Sequence, residues 1–410
     1  MEQKSPSVFN ITVIVAALGY FVDIYDLLLF QIVRVKSLES LGFFGEANQL
    51  AGEYIINWQM LGLLIGGIIW GVMGDKRGRL SVLFGSIVLY SLANIATGFI
   101  QTKEQYGLLR LIAGIGLAGE LGAGITLVAE LLPKEKRGIG TSLVAGIGLL
   151  GAVLANLVSK TVDWRWCYFI GGGLGFLLLL LRISVFESTM FSKIKELDVK
   201  KGSLLMFFNN GDRLRRYVCS ILIGLPTWFV IGVLVAFSKE FAEKIGVNGI
   251  ISPGDATMYA YVGISFGDVL IGFVSKWLRS RKKALFLFYG LTIIGILIYF
   301  FATPGTATGF YMLCAYLGFA TGFWAIFVTM AAEQFGTNLR ATAATTVPNM
   351  VRGALPIIIG LFKYLRGENA EAAEFIQAGL ITGGIVMAIS IIAAIFTKET
   401  YGKDLNYVER

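Results

Sequence analysis

Asp23, Asp26, Glu120 and Asp268, with Arg110 and Arg352, stand inside long apolar stretches of this sequence. A charge near the middle of a hydrocarbon layer costs at least ~2.5 kcal/mol, so each of these six needs a partner, water or a solute. The chemistry they offer is ionic. Carboxylates take up and release protons, and guanidinium groups grip anions through paired hydrogen bonds. Histidine is absent, so any proton relay has to run through carboxylates, and zinc and haem lose their commonest ligand. Cys167, Cys219 and Cys314 lie far apart, in or at the ends of apolar runs, and read as packing residues. Without histidine no Ser/His/Asp set is possible, and no P-loop occurs, which argues against an enzyme and against an ATP-driven pump. No metal or cofactor is expected.

The elements that position these charges follow from composition. The 410 residues are 56% hydrophobic and 15% charged, against roughly 25% charged in soluble chains. The apolar residues come in runs long enough to cross ~30 Å of hydrocarbon as helices, and no alternating decamers suggest a β-barrel. The runs predict spans at 8–30, 51–73, 81–99, 106–131, 139–158 and 166–185, then 217–238, 256–278, 284–302, 307–332, 341–364 and 373–396. The first run is too long for a signal-peptide core and is read as a retained span. Lys and Arg concentrate on one set of alternate loops and on both ends, which places both termini in the cytoplasm of a plasma or bacterial inner membrane. The net charge of +8 therefore reflects topology, and no nucleic-acid partner is expected.

The predicted fold class is an all-α membrane protein of twelve transmembrane helices in two six-helix bundles. Residues 1–186 form the first bundle, 187–216 a cytoplasmic linker, 217–398 the second bundle and 399–410 a tail. An internal repeat supports the division. Gly62, Gly66 and Gly71 recur as Gly263, Gly267 and Gly272, an offset of 201, and Glu130–Arg137 recurs as Glu333–Arg340, an offset of 203. Such a repeat implies two related bundles with a site between them.

The loop Gly71-Val-Met-Gly-Asp75-Lys-Arg-Gly78-Arg79 fits G-x-x-x-D-[RK]-x-G-R between the second and third spans. Here the chain resembles the major facilitator superfamily. Gly119-Glu120-Leu-Gly-Ala-Gly followed by Glu130-Leu-Leu-Pro133-Lys-Glu-Lys-Arg137-Gly138 is similar to the fourth-span region of metabolite:proton symporters. Glu187-Ser-Thr-Met-Phe191 and Glu399-Thr-Tyr-Gly402 are similar to paired cytoplasmic motifs of sugar porters, and Asp23-Ile-Tyr25-Asp26-Leu to the first span of phosphate:proton symporters. The phosphate family's Gly-Gly-Asp-Tyr-Pro signature is missing. The sugar-porter resemblance implies that Asp26 and Arg110 form the proton-coupling pair. On the predicted spans, Asp26 falls roughly 8 Å and Arg110 roughly 12 Å to the same side of the membrane midpoint, within reach of each other on neighbouring helices. The alternative is a static ion pair bracing two helices.

Asp23, one turn from Asp26, offers a second proton site, a ligand for a cation or a partner for another base. Glu120 faces a cavity and either touches solute or tunes Arg110. Arg352 is expected to receive an anionic group of the solute beside Asn349, or else to form a salt bridge with Asp268. Pro348 and Pro356 mark irregular backbone around it. Tyr25, Trp228 and Trp324 either shape the pocket or pack. Asp75, Gly78, Arg79, Glu130, Arg137, Glu187, Glu333, Arg340 and Glu399 are assigned to a cytoplasmic gate between the bundles. The function expected is a monomeric secondary transporter of a small polar metabolite, an organic acid or zwitterion, with proton symport. The alternatives are inorganic phosphate symport and proton-coupled export of a small amphipathic compound.

Overall fold

The computed structural model describes residues 10–77, 79–120, 128, 143–189, 204–368, 370–403 and 409. It is all-helical, with one isolated β-bridge between Asn248 and Thr306. The N-terminal half contributes α1 (Ile11–Ser40), α2 (Gly45–Arg77), α3 (Arg79–Thr97), α4 (Lys103–Leu117), α5 (Gly151–Thr161) and α6 (Trp164–Thr189). The C-terminal half contributes α7 (Gly211–Ile223), α8 (Leu225–Phe229), a π-helical turn over Val230–Val235, and α9 (Ser238–Ile245). It continues with α10 (Pro253–Leu278), α11 (Arg281–Phe301), α12 (Ala307–Ala320), α13 (Trp324–Glu333), α14 (Thr337–Gly353), α15 (Leu355–Arg366) and α16 (Ala372–Phe396).

Polar residues start these helices by accepting otherwise orphaned backbone N–H groups. Thr102 accepts from Gln105, Ser280 from Lys283, and Thr306 from Gly309. Ser252 accepts from Asp255 while Pro253 sets the first turn of α10. Among the described residues, ten helical stretches are long and apolar enough to cross a membrane; α3 supplies a shorter one over Val82–Thr97. The fourth expected span continues beyond Glu120 into residues that are not described. The molecule is thus a multi-pass membrane protein. Its outer faces carry exposed Leu180, Phe266, Phe273, Trp277 and Ile357, while its ionic groups are buried, the reverse of a soluble protein.

Several boundaries differ from the sequence reading. α1 runs ten residues past Phe30, because Gln31, Arg34 and Ser37 are buried by neighbouring helices and need no loop. Asp26 therefore sits at the middle of α1, not outside it. The seventh span begins at Gly211, inside the expected linker, where Asn210 caps it by accepting from Asp212 and Arg213. Three expected continuous spans are broken: at Gly224 between α7 and α8, at Thr321–Phe323 between α12 and α13, and at Ala354 between α14 and α15.

The repeated glycines have a common purpose. A Cβ at Gly62 or Gly66 would overlap the backbone of α4 at Leu111 or Ile115, and one at Gly263 or Gly267 would overlap α12 at Ala315 or Phe319. Each pair lets two helices cross backbone against backbone. Gly272, the third member of the repeat, has nothing near its Cβ position.

Candidate functional site

All three helix breaks of the C-terminal half converge on one side chain. Trp228 lies on α8 just after the first break, Trp324 opens α13 after the second, and Arg352 stands two residues before the third. Broken helices at membrane depth leave backbone groups that only a protein-lined or watery interior tolerates. Asp268 answers one of them: its Oδ1 accepts the N–H of Ala325 at 3.0 Å, at the N-terminus of α13. The expected Asp268–Arg352 salt bridge does not form. Asp268 spends its charge on the α13 backbone because that broken helix end supplies a nearer donor.

Arg352 is buried and has no carboxylate within ion-pair distance among the described residues. Its guanidinium lies 6.0 Å from the Trp228 ring centre and 5.8 Å from that of Trp324, and the two indoles meet edge to face at 6.5 Å. One nitrogen reaches Asn349 Oδ1 at 3.4 Å, a long bond, and Nε has no partner. Asn349 is committed elsewhere: its Nδ2 donates 2.8 Å to the carbonyl of Ala118 and 3.0 Å to that of Thr345. It therefore links α14 to the end of α4 across the two halves of the chain.

Asp23 faces the same centre from α1. Arg352 is the charge that acts on it most strongly, followed by Glu120, Asp26 and Arg182. Among the described residues, no hydrogen-bond partner meets either carboxylate oxygen of Asp23 or Asp26 at bonding geometry, though both residues are fully buried. Asp26 faces α3 and α6 instead, beside Asn94 and Gly171. The expected direct Asp26–Arg110 pair is absent in this conformation. Arg110 gives one nitrogen to Asn94 Oδ1 and Thr97 Oγ1, each at 2.7 Å, and stacks 4.7 Å from the Tyr168 ring centre. Asn94 adjoins both groups and takes the contact that a carboxylate would otherwise make. Tyr25 is a packing residue, because its hydroxyl donates to the Cys167 carbonyl at 3.0 Å and ties α1 to α6.

The expected gate residues divide. Gly78, Glu130 and Arg137 lie outside the described residues, as do the side chains of Asp75, Arg79 and Glu187. Among the described residues, the others make these contacts within the C-terminal half. Glu399 accepts from the Ser280 hydroxyl and from the Arg281 N–H at 2.9 Å. Glu333 meets Arg281 at 3.4 Å, and Arg340 donates to the Phe335 carbonyl at 3.4 Å. Among the described residues, these contacts brace the C-terminal half, because the loop after α10 turns back onto the tail.

Four buried or half-buried ion pairs were not anticipated. Arg182 of α6 holds Glu120 with both terminal nitrogens. At the opposite end from Asp75, three pairs join the two halves: Arg34–Glu240 at 2.7 Å, Glu53–Arg366 at 3.0 Å and Lys160–Asp255 at 2.5 Å. The sequence reading placed Glu120 inside the fourth span and left the others in loops or at span ends. A buried arginine near a span end has the same sequence signature as a topology-setting one. Only the unbroken polar-apolar pattern from Gln31 to Ser40 hinted that α1 continues past Arg34.

Residues 8–361 match the family model described as Major Facilitator Superfamily. A niacin transporter of Acinetobacter baylyi is 25% identical over 402 residues, covering 87% of each chain. The cis,cis-muconate transport protein of the same organism is 23% identical over 406 residues, covering 95% of each. The solved structure of the proton:xylose symporter XylE bound to 6-bromo-6-deoxy-D-glucose superposes with a TM-score of 0.71. It covers 96% of this chain and 97% of that one at 17% identity, a likeness of fold.

Proposed function

The chain belongs to the Major Facilitator Superfamily, and from that premise we propose that it carries a small organic acid with protons by alternating access. It is a membrane transporter and not an enzyme. Two six-helix bundles, 1–186 and 217–398, rock about a central site, with both termini in the cytoplasm and a monomer as the working unit. The repeated glycine crossings and the basic loops support this arrangement.

One observation carries the solute class: among the described residues Arg352 is a buried guanidinium with no carboxylate in ion-pair contact, walled by Trp228 and Trp324. An isolated buried cation is costly, and a carboxylate accepting two of its N–H groups offsets that cost. Two indole faces suit a flat, unsaturated body attached to the carboxylate. Niacin is an aromatic carboxylate and cis,cis-muconate an unsaturated one, so the solutes for which two relatives are named fit the same chemistry. Inorganic phosphate would leave the indoles without a partner and is the weaker reading.

Asp26 and Asp23 are the proton carriers in this scheme. Both are dehydrated carboxylates without hydrogen-bond donors, and Arg110 is the cation that acts on Asp26. Opening of the site admits water and a proton to the acid. The neutral acid then crosses the occluded state at lower cost.

Uptake into proteoliposomes tests the proposal. Radiolabelled nicotinate, benzoate and muconate are compared with xylose and phosphate, with and without an acid exterior. Accumulation of at least one carboxylate, driven by the proton gradient, supports it. Uptake of xylose or phosphate alone contradicts it.

A further inference from the structure

Among the described residues, Glu120 and Arg182 form the most deeply buried ion pair, their side chains 1% and 2% exposed. Arg182 binds both carboxylate oxygens, one of them at 3.0 Å. The pair lies directly against Gly19 of α1, where any Cβ would overlap the Arg182 guanidinium and the Glu120 carboxylate. Gly19 is one helical turn from Asp23 on the same face. Arg182 is thus one of two cations near Asp23, and Glu120 already occupies it.

We propose that Glu120 is a positioning residue: by holding Arg182 it offsets the cation of Asp23's own half, so that Asp23 answers chiefly to Arg352 and to the solute bound there. This inference rests on the organic-acid reading above. When a carboxylate arrives at Arg352, Asp23 loses the attraction of that guanidinium and gains a negative neighbour. Both changes favour protonation, so binding of the solute brings a proton to Asp23. Had Arg182 been available, it would hold Asp23 ionised throughout, and the coupling would be lost.

Among the described residues, the groups that face Asp23 are few. Tyr20 and Asp26 belong to its own helix, Tyr90 to α3, Glu120 to the end of α4, Arg182 to α6, Tyr261 to α10 and Arg352 to α14. Tyr90 has an unpartnered hydroxyl beside the ion pair, and the tyrosines carry no charge in the working pH range. The balance on Asp23 is therefore set by two arginines and two acids.

Infrared difference titration of the purified protein, with no solute present, reads that balance directly. The carboxylic acid band lost in Asp23→Asn is assigned to Asp23, and its midpoint is followed in variants. Glu120→Gln should move the midpoint at least one pH unit to acid, because the released Arg182 turns to Asp23. Arg182→Gln should move it to alkaline, because Glu120 keeps its charge beside Asp23. Glu120→Gln/Arg182→Gln should return it close to the wild-type value. An unchanged midpoint in both single variants, or shifts in the same direction, overturns the proposal. If one single variant does not fold, the sign of the other decides alone. Since no solute is used, a wrong solute class would leave these results intact, and a wrong role for Glu120 would leave the uptake results intact.

Discussion

Arg34 of α1 grips both carboxylate oxygens of Glu240, at 2.7 and 2.9 Å, although the two residues are 206 positions apart and belong to opposite halves of the chain. The same guanidinium reaches the Ala236 carbonyl at 3.3 Å and lies 5.0 Å from the Phe237 ring centre. With Glu53–Arg366 and Lys160–Asp255 it seals one end of the molecule. Alternating access requires this seal to break.

Removing one partner of a buried pair costs ~3–5 kcal/mol, enough to shift an opening equilibrium well beyond tenfold. Glu240→Gln combined with Glu53→Gln should therefore populate the outward-open state. With the native cysteines replaced by serine, a cysteine at Tyr261 becomes the reporter. Its labelling by a membrane-impermeant thiol reagent from outside should rise at least tenfold over the parent. Equal labelling rates would show that these pairs do not gate the site.

Asp268 fastens the broken tenth span through the Ala325 N–H. Asp268→Ala removes the cap and should lower unfolding stability by ~1–2 kcal/mol, whereas Asp268→Asn retains an acceptor and should lose less. Thermal melts in detergent check the order. An Asp268→Ala variant as stable as its parent would place the group in solute binding rather than in support of α13.

Asp26→Asn should abolish accumulation driven by an acid exterior while leaving solute-for-solute exchange measurable. Counterflow and gradient-driven uptake, run on the same proteoliposomes, separate the two. Full accumulation by the variant would remove Asp26 from the proton path. The partner of Asp26 in the closed state is the neighbourhood of Asn94, so Asn94→Ala should alter the pH profile as well.

Glu399, three residues past the end of α16, gives a pH prediction outside the membrane. Burial pushes its carboxyl up, but the Ser280 hydroxyl and the backbone N–H groups of Tyr401, Arg281 and Lys282 outweigh that and bring it down to about 2. A carboxyl lowered on folding contributes stability that is present above its unfolded value of 4.5 and is lost as pH falls towards 2. The melting temperature of the wild type should fall through this window more steeply than that of Glu399→Gln. Parallel curves would show that the contacts of Glu399 add nothing.

What the sequence disclosed was the part that rests on one-dimensional pattern. Long apolar runs gave the helices, and Gly62/Gly66 with Gly263/Gly267 announced the paired crossings. Arg352 and its two tryptophans were legible as candidates because charge and indole stand out in an apolar background. Their convergence was not, since it depends on where α8, α13 and α15 begin. Gly224, Thr321 and Ala354 look like ordinary span residues, and of the two prolines read as marking irregular backbone Pro356 adjoins a break while Pro348 lies within α14. Arg34 fell outside the first predicted span and Arg182 at the end of the sixth, and their partners were not legible because burial by a neighbouring helix leaves no trace in the local sequence. The partner of Asp268 was invisible for another reason: it is a backbone amide, and every residue has one.

The central claim is that Arg352 receives the carboxylate of the solute between Trp228 and Trp324. Equilibrium binding of nicotinate and of nicotinamide, two flat rings that differ in that group's charge, tests it most directly. The wild type should favour the acid by about a hundredfold, in line with the ~1.5–3 kcal/mol of a charge-assisted contact. Arg352→Lys should keep part of the preference, and Arg352→Gln should bind the two alike. An Arg352→Gln protein that still prefers the acid as strongly as its parent would contradict the account.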